Sequence, residues 1–79
     1  MLDSIGDRLA HAMSSSGYDR GNFAVAIDIH YETLGKHIRE NTLPKRSTTR
    51  KAIERVTGFS INWIETGEGE MFVEILIFT

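Results

Sequence analysis

Cysteine is absent from the 79-residue sequence, so neither a disulfide nor a thiolate metal site can reinforce the fold. That fits a reducing cytoplasm, although exported proteins also do without cysteine. No apolar run approaches the roughly 20 residues of a membrane helix. No basic-then-apolar leader pattern opens the sequence, so a cytoplasmic protein with no membrane partner is expected. Catalytic equipment is equally sparse. There is no glycine-rich phosphate loop, and the three histidines lie far apart without metal-ligand spacing. Ser14, Ser15 and Ser16 read as a helix end rather than an activated nucleophile. Neither enzymatic activity nor a metal or cofactor is expected. Internal repeats and low-complexity segments are also missing.

What is present suits one small globular domain. Hydrophobic residues make up 41%, enough for a core but a marginal one at this length. The formal charge of −2 hides a strong asymmetry. Between Lys36 and Arg55 lie Lys36, Arg39, Lys45, Arg46, Arg50, Lys51 and Arg55, against only Glu40 and Glu54. That window carries an excess of five positive charges, and the rest of the chain a deficit of seven. Phosphate binding depends on the local patch, not on the sum.

Helical periodicity runs through most of the chain. Leu2, Ile5, Leu9, Ala12 and Met13 form one apolar stripe, predicting a helix from Leu2 to about Ser15 with Asp3 or Ser4 as its cap. Asp7 complements its dipole, and Gly17 follows its end. His11 reads as a surface histidine. From Tyr18 to Arg39 the sequence reads as two short helices joined by a tight turn. Tyr18 and Phe23 staple the first of these around Asp19 at the N-cap, and Phe23, Ala24 and Ile27 recur at helical spacing. The turn is Ile27-Asp28-Ile29-His30, with Asp28 where a left-handed residue is needed. Ile29 and Leu34 form a second staple over His30, and Leu34 and Ile38 bind the second helix to the core. Tyr31, Glu32 and Lys36 are left facing outward. This is the pattern of a helix-turn-helix whose second helix reads a DNA major groove.

Glu40 to Pro44 reads as a loop in which Leu43 tucks inward and Pro44 stops the preceding helix. A fourth helix follows from Ser47 or Thr48 to Thr57, burying Ala52, Ile53 and Val56 and turning Arg50, Lys51 and Arg55 outward. Gly58 ends it. Phe59 and Ile64 staple a fifth helix capped by Ser60, with Trp63 as a core anchor. After the turn Gly67-Glu68-Gly69, residues 71–79 switch to β-branched and aromatic types, the composition of a strand. A lone strand must pair with something. Antiparallel pairing with a second copy through Phe72, Val73, Ile75 and Ile77 is expected, the alternative being an extended tail folded back on the helices.

Over roughly residues 4 to 70 the chain resembles the phage repressor and Cro helix-turn-helix family, also called the XRE family. The marks are IGDRL near the start, Ala24 and Ile29 in the motif, TLGKHIRENTLP through the second motif helix and its loop, and FSINWIETGEGEM. Three features depart from the family pattern. Asp28 replaces the turn glycine, Arg20 replaces the glutamine that opens the first motif helix, and the loop before the fourth helix is one residue longer. The resemblance implies an all-α, compact five-helix repressor-like domain over residues 1–70, with a short C-terminal β-strand over 71–79 as a dimerisation element. It implies a dimer on double-stranded operator DNA. A self-cleaving peptidase domain is not expected, so a stand-alone Cro-like repressor is the nearer comparison, and a DNA-binding domain of a longer repressor the alternative.

Roles follow from position. Tyr31, Glu32, Thr33 and Lys36 are the expected base readers. Lys36 donates to guanine O6 and N7. Glu32 either accepts from cytosine N4 or pairs with Lys36 one turn on. Tyr31 and Thr33 meet a thymine methyl or a phosphate. Gly35 is expected near the exposed face, more for close approach to DNA than to a neighbouring helix. Arg20, Arg39, Asn41, Thr42, Lys45 and Arg46 are the expected phosphate contacts, with His37 either joining them or packing beside Pro44. The rival reading is a protein-binding adaptor or anti-repressor that captures another regulator through the acidic remainder and the apolar tail.

Overall fold

Capping chemistry sets where each helix begins and ends. The computed structural model describes residues 2–73, and among them lie α1 (Ile5–Ser15), α2 (Arg20–Ala26), α3 (Tyr31–Glu40), α4 (Ser47–Thr57) and α5 (Ile61–Thr66). This is the five-helix, all-α arrangement expected. Ser4, not Asp3, caps α1, its Oγ accepting from the Asp7 N–H at 3.1 Å. The helix therefore starts at Ile5, and Leu2 lies outside it. At the other end Gly17 is left-handed (φ 84°), and the N–H groups of Gly17 and Tyr18 return to the carbonyls of Ser14 and Met13. That reversal sets the Tyr18 ring 5.9 Å from Phe23.

Asp19 caps α2 through a 2.7 Å bond from the Asn22 N–H. Asp28 then adopts φ 61°, and the N–H groups of Asp28 and Ile29 donate to Val25 and Ala24 at 3.1 and 3.0 Å. Asp28 thus fills the post-helix position usually given to glycine. The end of α3 corrects the sequence reading. Asn41 is left-handed (φ 59°) and closes the helix three residues before Pro44, so proline is not the stop. The Asn41 side chain also accepts from the Gly6 N–H at 3.1 Å, filling one of the donors that the start of α1 leaves open. Gly6 is required there: a Cβ would run into the Ile38 carbonyl. Backbone contact between α1 and α3 fixes how α3 is held.

α1 packs against α3, α4 and α5, while α2 rests on α3 and α4 on α5. Leu9, Phe23, Ile27, Leu34, Ile53 and Ile64 are fully enclosed, and Leu43 and Trp63 join them as expected. Arg8 is buried, an outcome the periodicity does not announce. Its guanidinium donates to the Ile64, Leu2 and Glu65 carbonyls at 2.7, 3.0 and 3.2 Å. A cation is thereby set at the C-terminal end of α5, where carbonyls lack helical partners. His11 is half-buried, not a surface residue, with its ring edge 5.6 Å from Phe59.

Of the C-terminal strand expected over residues 71–79, only residues 71–73 are described. Among the described residues no strand forms. Residues 71–73 instead fold back on their own chain in a single antiparallel bridge, Phe59 opposite Phe72, flanked by bonds from Ser60 N–H to Met71 O and Val73 N–H to Gly58 O. Phe72 and Val73 thus pair within the subunit, and the Phe72 ring lies 4.7 Å from Phe59. Ile75 and Ile77 lie outside the described residues. No described helix is long and apolar enough to cross a membrane.

Candidate nucleic-acid interface

The outward face of α3 follows from its buried one. Leu34 is fully enclosed and Ile38 half-buried against α1, which leaves Tyr31, Glu32, Thr33 and Lys36 on the solvent side. Tyr31 keeps 55% of its surface exposed although it is aromatic. Glu32 and Lys36 form no ion pair; among the described residues that role belongs to Arg50 and Glu65 at 2.9 Å. Their side chains therefore remain free for an external partner.

Gly35 is buried, contrary to expectation, and what covers it is Arg20. A Cβ on Gly35 would lie 3.4 Å from the Arg20 Nη1. The same guanidinium stands 5.7 Å from the centre of the Tyr31 ring. Gly35 thus faces the neighbouring helix, at an ordinary contact distance from Arg20.

Of the expected phosphate contacts, Thr42, Lys45 and Arg46 come together with the base-reading candidate Thr33 around an open groove of about 530 Å³, beside His37 and Pro44. Lys45 and Arg46 are exposed and make no side-chain hydrogen bond with the described residues. Thr42 shares a 2.8 Å hydrogen bond with His37 Nδ1. Burial first, and the neighbouring Lys36 second, hold the His37 imidazole below its ordinary pKa of 6.5, against an upward pull from Glu40. Arg39 stands exposed on the last turn of α3. Asn41 is the outlier, because its side-chain oxygen is committed to α1. Asparagine at a helix end is itself a left-handed cap signal.

The basic window is not one uniform face. Arg50 does not point outward: it donates to the Pro44 carbonyl at 3.2 Å and pairs with Glu65, tying the loop and α5 to α4. Lys51 sits with Arg50, Glu54 and Ile61 at the α4–α5 side, whereas Arg46 and Arg55 flank a shallow groove with Asp28 and Thr48. The cations lining the groove beside α3 are thus Lys45 and Arg46, while Lys36 is exposed on the helix and Arg20 lies by Gly35 and Tyr31. Among the described residues no group of three His, Asp or Glu side chains is placed to hold a metal. No family model, curated protein or solved structure matches the chain.

Proposed function

We propose that this protein binds double-stranded DNA sequence-specifically, as a transcriptional repressor of Cro or phage-repressor type that seats α3 in the major groove of a palindromic operator. The observation that carries the reading is the make-up of α3. Its inner face is pinned by Leu34 and by backbone contact with α1, while Tyr31, Glu32, Thr33 and Lys36 project freely beside the exposed cations of the following loop. Lys36 and Glu32 supply donor and acceptor chemistry for base edges, and Lys45, Arg46 and Arg39 supply charge for phosphates. Such a protein works in the cytoplasm of a bacterial or phage-infected cell.

A homodimer belongs to this reading. Two copies of α3 about 34 Å apart would address successive major grooves on one side of the duplex. The tail offers a route to pairing: the bridge bonds use the peptide groups of Met71 and Val73, so those of Phe72 face away from residues 58–60.

Selection from random duplexes by the purified protein, followed by salt titration on the winner, tests the proposal. A palindromic consensus is expected, with log affinity falling against log salt by about 0.9 for each phosphate neutralised. Failure to enrich any sequence sinks it. The adaptor reading draws on exposed Val25 and Phe72, and a regulator held by such apolar contacts would bind with little salt dependence.

A further inference from the structure

The packing between α2 and α3 is reciprocal. Each helix carries a glycine where the other lays a side chain. A Cβ on Gly21 of α2 would lie 4.0 Å from Tyr31 Cδ1, and one on Gly35 of α3 would lie 3.4 Å from Arg20 Nη1. The Arg20 guanidinium, itself exposed, lies near both the Tyr31 ring and Gly35 of α3. It makes no hydrogen bond or ion pair with the described residues. Asp19, its neighbour in sequence, spends its carboxylate on the Asn22 backbone and side-chain N–H groups. A guanidinium with its donors unspent among the described residues therefore lies beside α3, the helix that would enter the groove.

We propose that Arg20 reads a guanine base edge, with Tyr31 as its positioning residue; this rests on the DNA-binding reading above. A phosphate contact needs only a mobile positive charge. Lys45 and Arg46 have that character: they are exposed and free of side-chain hydrogen bonds. Arg20 is exposed as they are, but its guanidinium lies over the Tyr31 ring at 5.7 Å and beside Gly35. Contact with an aromatic face favours one plane of the guanidinium, and plane matters most for the paired acceptors O6 and N7 of guanine. Ordering before binding also lowers the entropy lost on contact. Tyr31 acts through its ring, so phenylalanine should replace it in this role.

The test compares duplexes enriched by the wild type, Arg20→Lys, Arg20→Gln, Tyr31→Phe and Tyr31→Ala, each first shown to keep the wild-type helical signal and a cooperative melt. Arg20→Lys should lose one guanine preference per half-site, by roughly 5- to 150-fold, while the salt slope stays unchanged because the charge remains. Tyr31→Phe should keep that preference. Tyr31→Ala should weaken it, and should weaken it no further when combined with Arg20→Lys. If Arg20→Lys retains every base preference and Arg20→Gln weakens all duplexes alike, with the slope shallower by about 0.9, Arg20 is a phosphate contact and the proposal is overturned. A wild-type protein that enriches no duplex overturns the DNA-binding reading itself, and this assignment with it.

Discussion

Arg8 shows how much one side chain can organise in a domain of this size. Its three hydrogen bonds reach α5 and the segment before α1, so one cation closes the molecule between two distant parts of the sequence. Replacing it with Met keeps much of the volume but strips the Ile64 and Glu65 carbonyls of their donor. Arg8→Met should lower the unfolding free energy by about 1.5–3 kcal/mol, the range for a hydrogen bond to a charged group. Arg8→Lys should not restore it, because one ammonium cannot follow the guanidinium's fork to three carbonyls. Urea midpoints decide the matter, and a Lys variant as stable as the wild type would show that charge alone suffices. Nothing in the local pattern singles out Arg8. Two of its three partners lie more than fifty residues away, and a charged residue between apolar ones on a helix reads by default as solvent-facing.

At the scale of elements, the proposed function rests on α3, and α1 holds α3 in place. Lys36→Ala should lose discrimination at one or two base pairs while much of the non-specific affinity survives. A uniform loss over all sequences in the same binding assay would count against Lys36 as a reader. The His37–Thr42 contact makes the junction of α3 and its loop responsive to pH. The folded protein holds His37 below the 6.5 of an ordinary histidine, so on acidification the unfolded chain takes up the proton first. Stability should therefore fall as pH drops below about 6.5, and the loss should level off once the folded imidazole also protonates. His37→Gln should flatten that part of the pH profile of the urea midpoint. Parallel profiles for the two proteins would rule it out. Both motif helices, their staple and the left-handed Asp28 were legible because each depends on residues within a turn or two. The stop at Asn41 was misread because proline drew the assignment, although asparagine lay directly at the helix end.

Taken whole, the molecule does not sort its charges into clean faces: Asp28 lines the same groove as Lys45 and Arg46. Charge counting along the sequence gives the window around the loop that follows α3 a positive balance, but not one basic face: Arg50 pairs with Glu65 at the surface, and Lys51 lies toward α5. The strand expected at the C-terminus meets the rest of the chain as a single bridge, and the exposed Phe72 remains at its edge. If that edge joins two copies, Phe72→Lys should convert a dimer to a monomer in sedimentation equilibrium, and should reduce operator affinity more than non-specific affinity. A variant that remains dimeric places the interface elsewhere. Some loss of stability is expected in either case, about 0.5–1.5 kcal/mol for the Phe59–Phe72 ring pair beyond the buried area.

The amino-acid sequence by itself determined the five helices, most of their caps, the inner and outer faces of α3 and the position of Trp63 in the core. Those features rest on periodicity and on hydrogen bonds between near neighbours. Only the tertiary structure decided that Arg8 is buried, that Gly35 makes room for Arg20, that Asn41 is bound to α1, and that the tail turns back on residues 58–60. Each joins groups distant in sequence, and their meeting depends on how the helices cross, which no local pattern encodes.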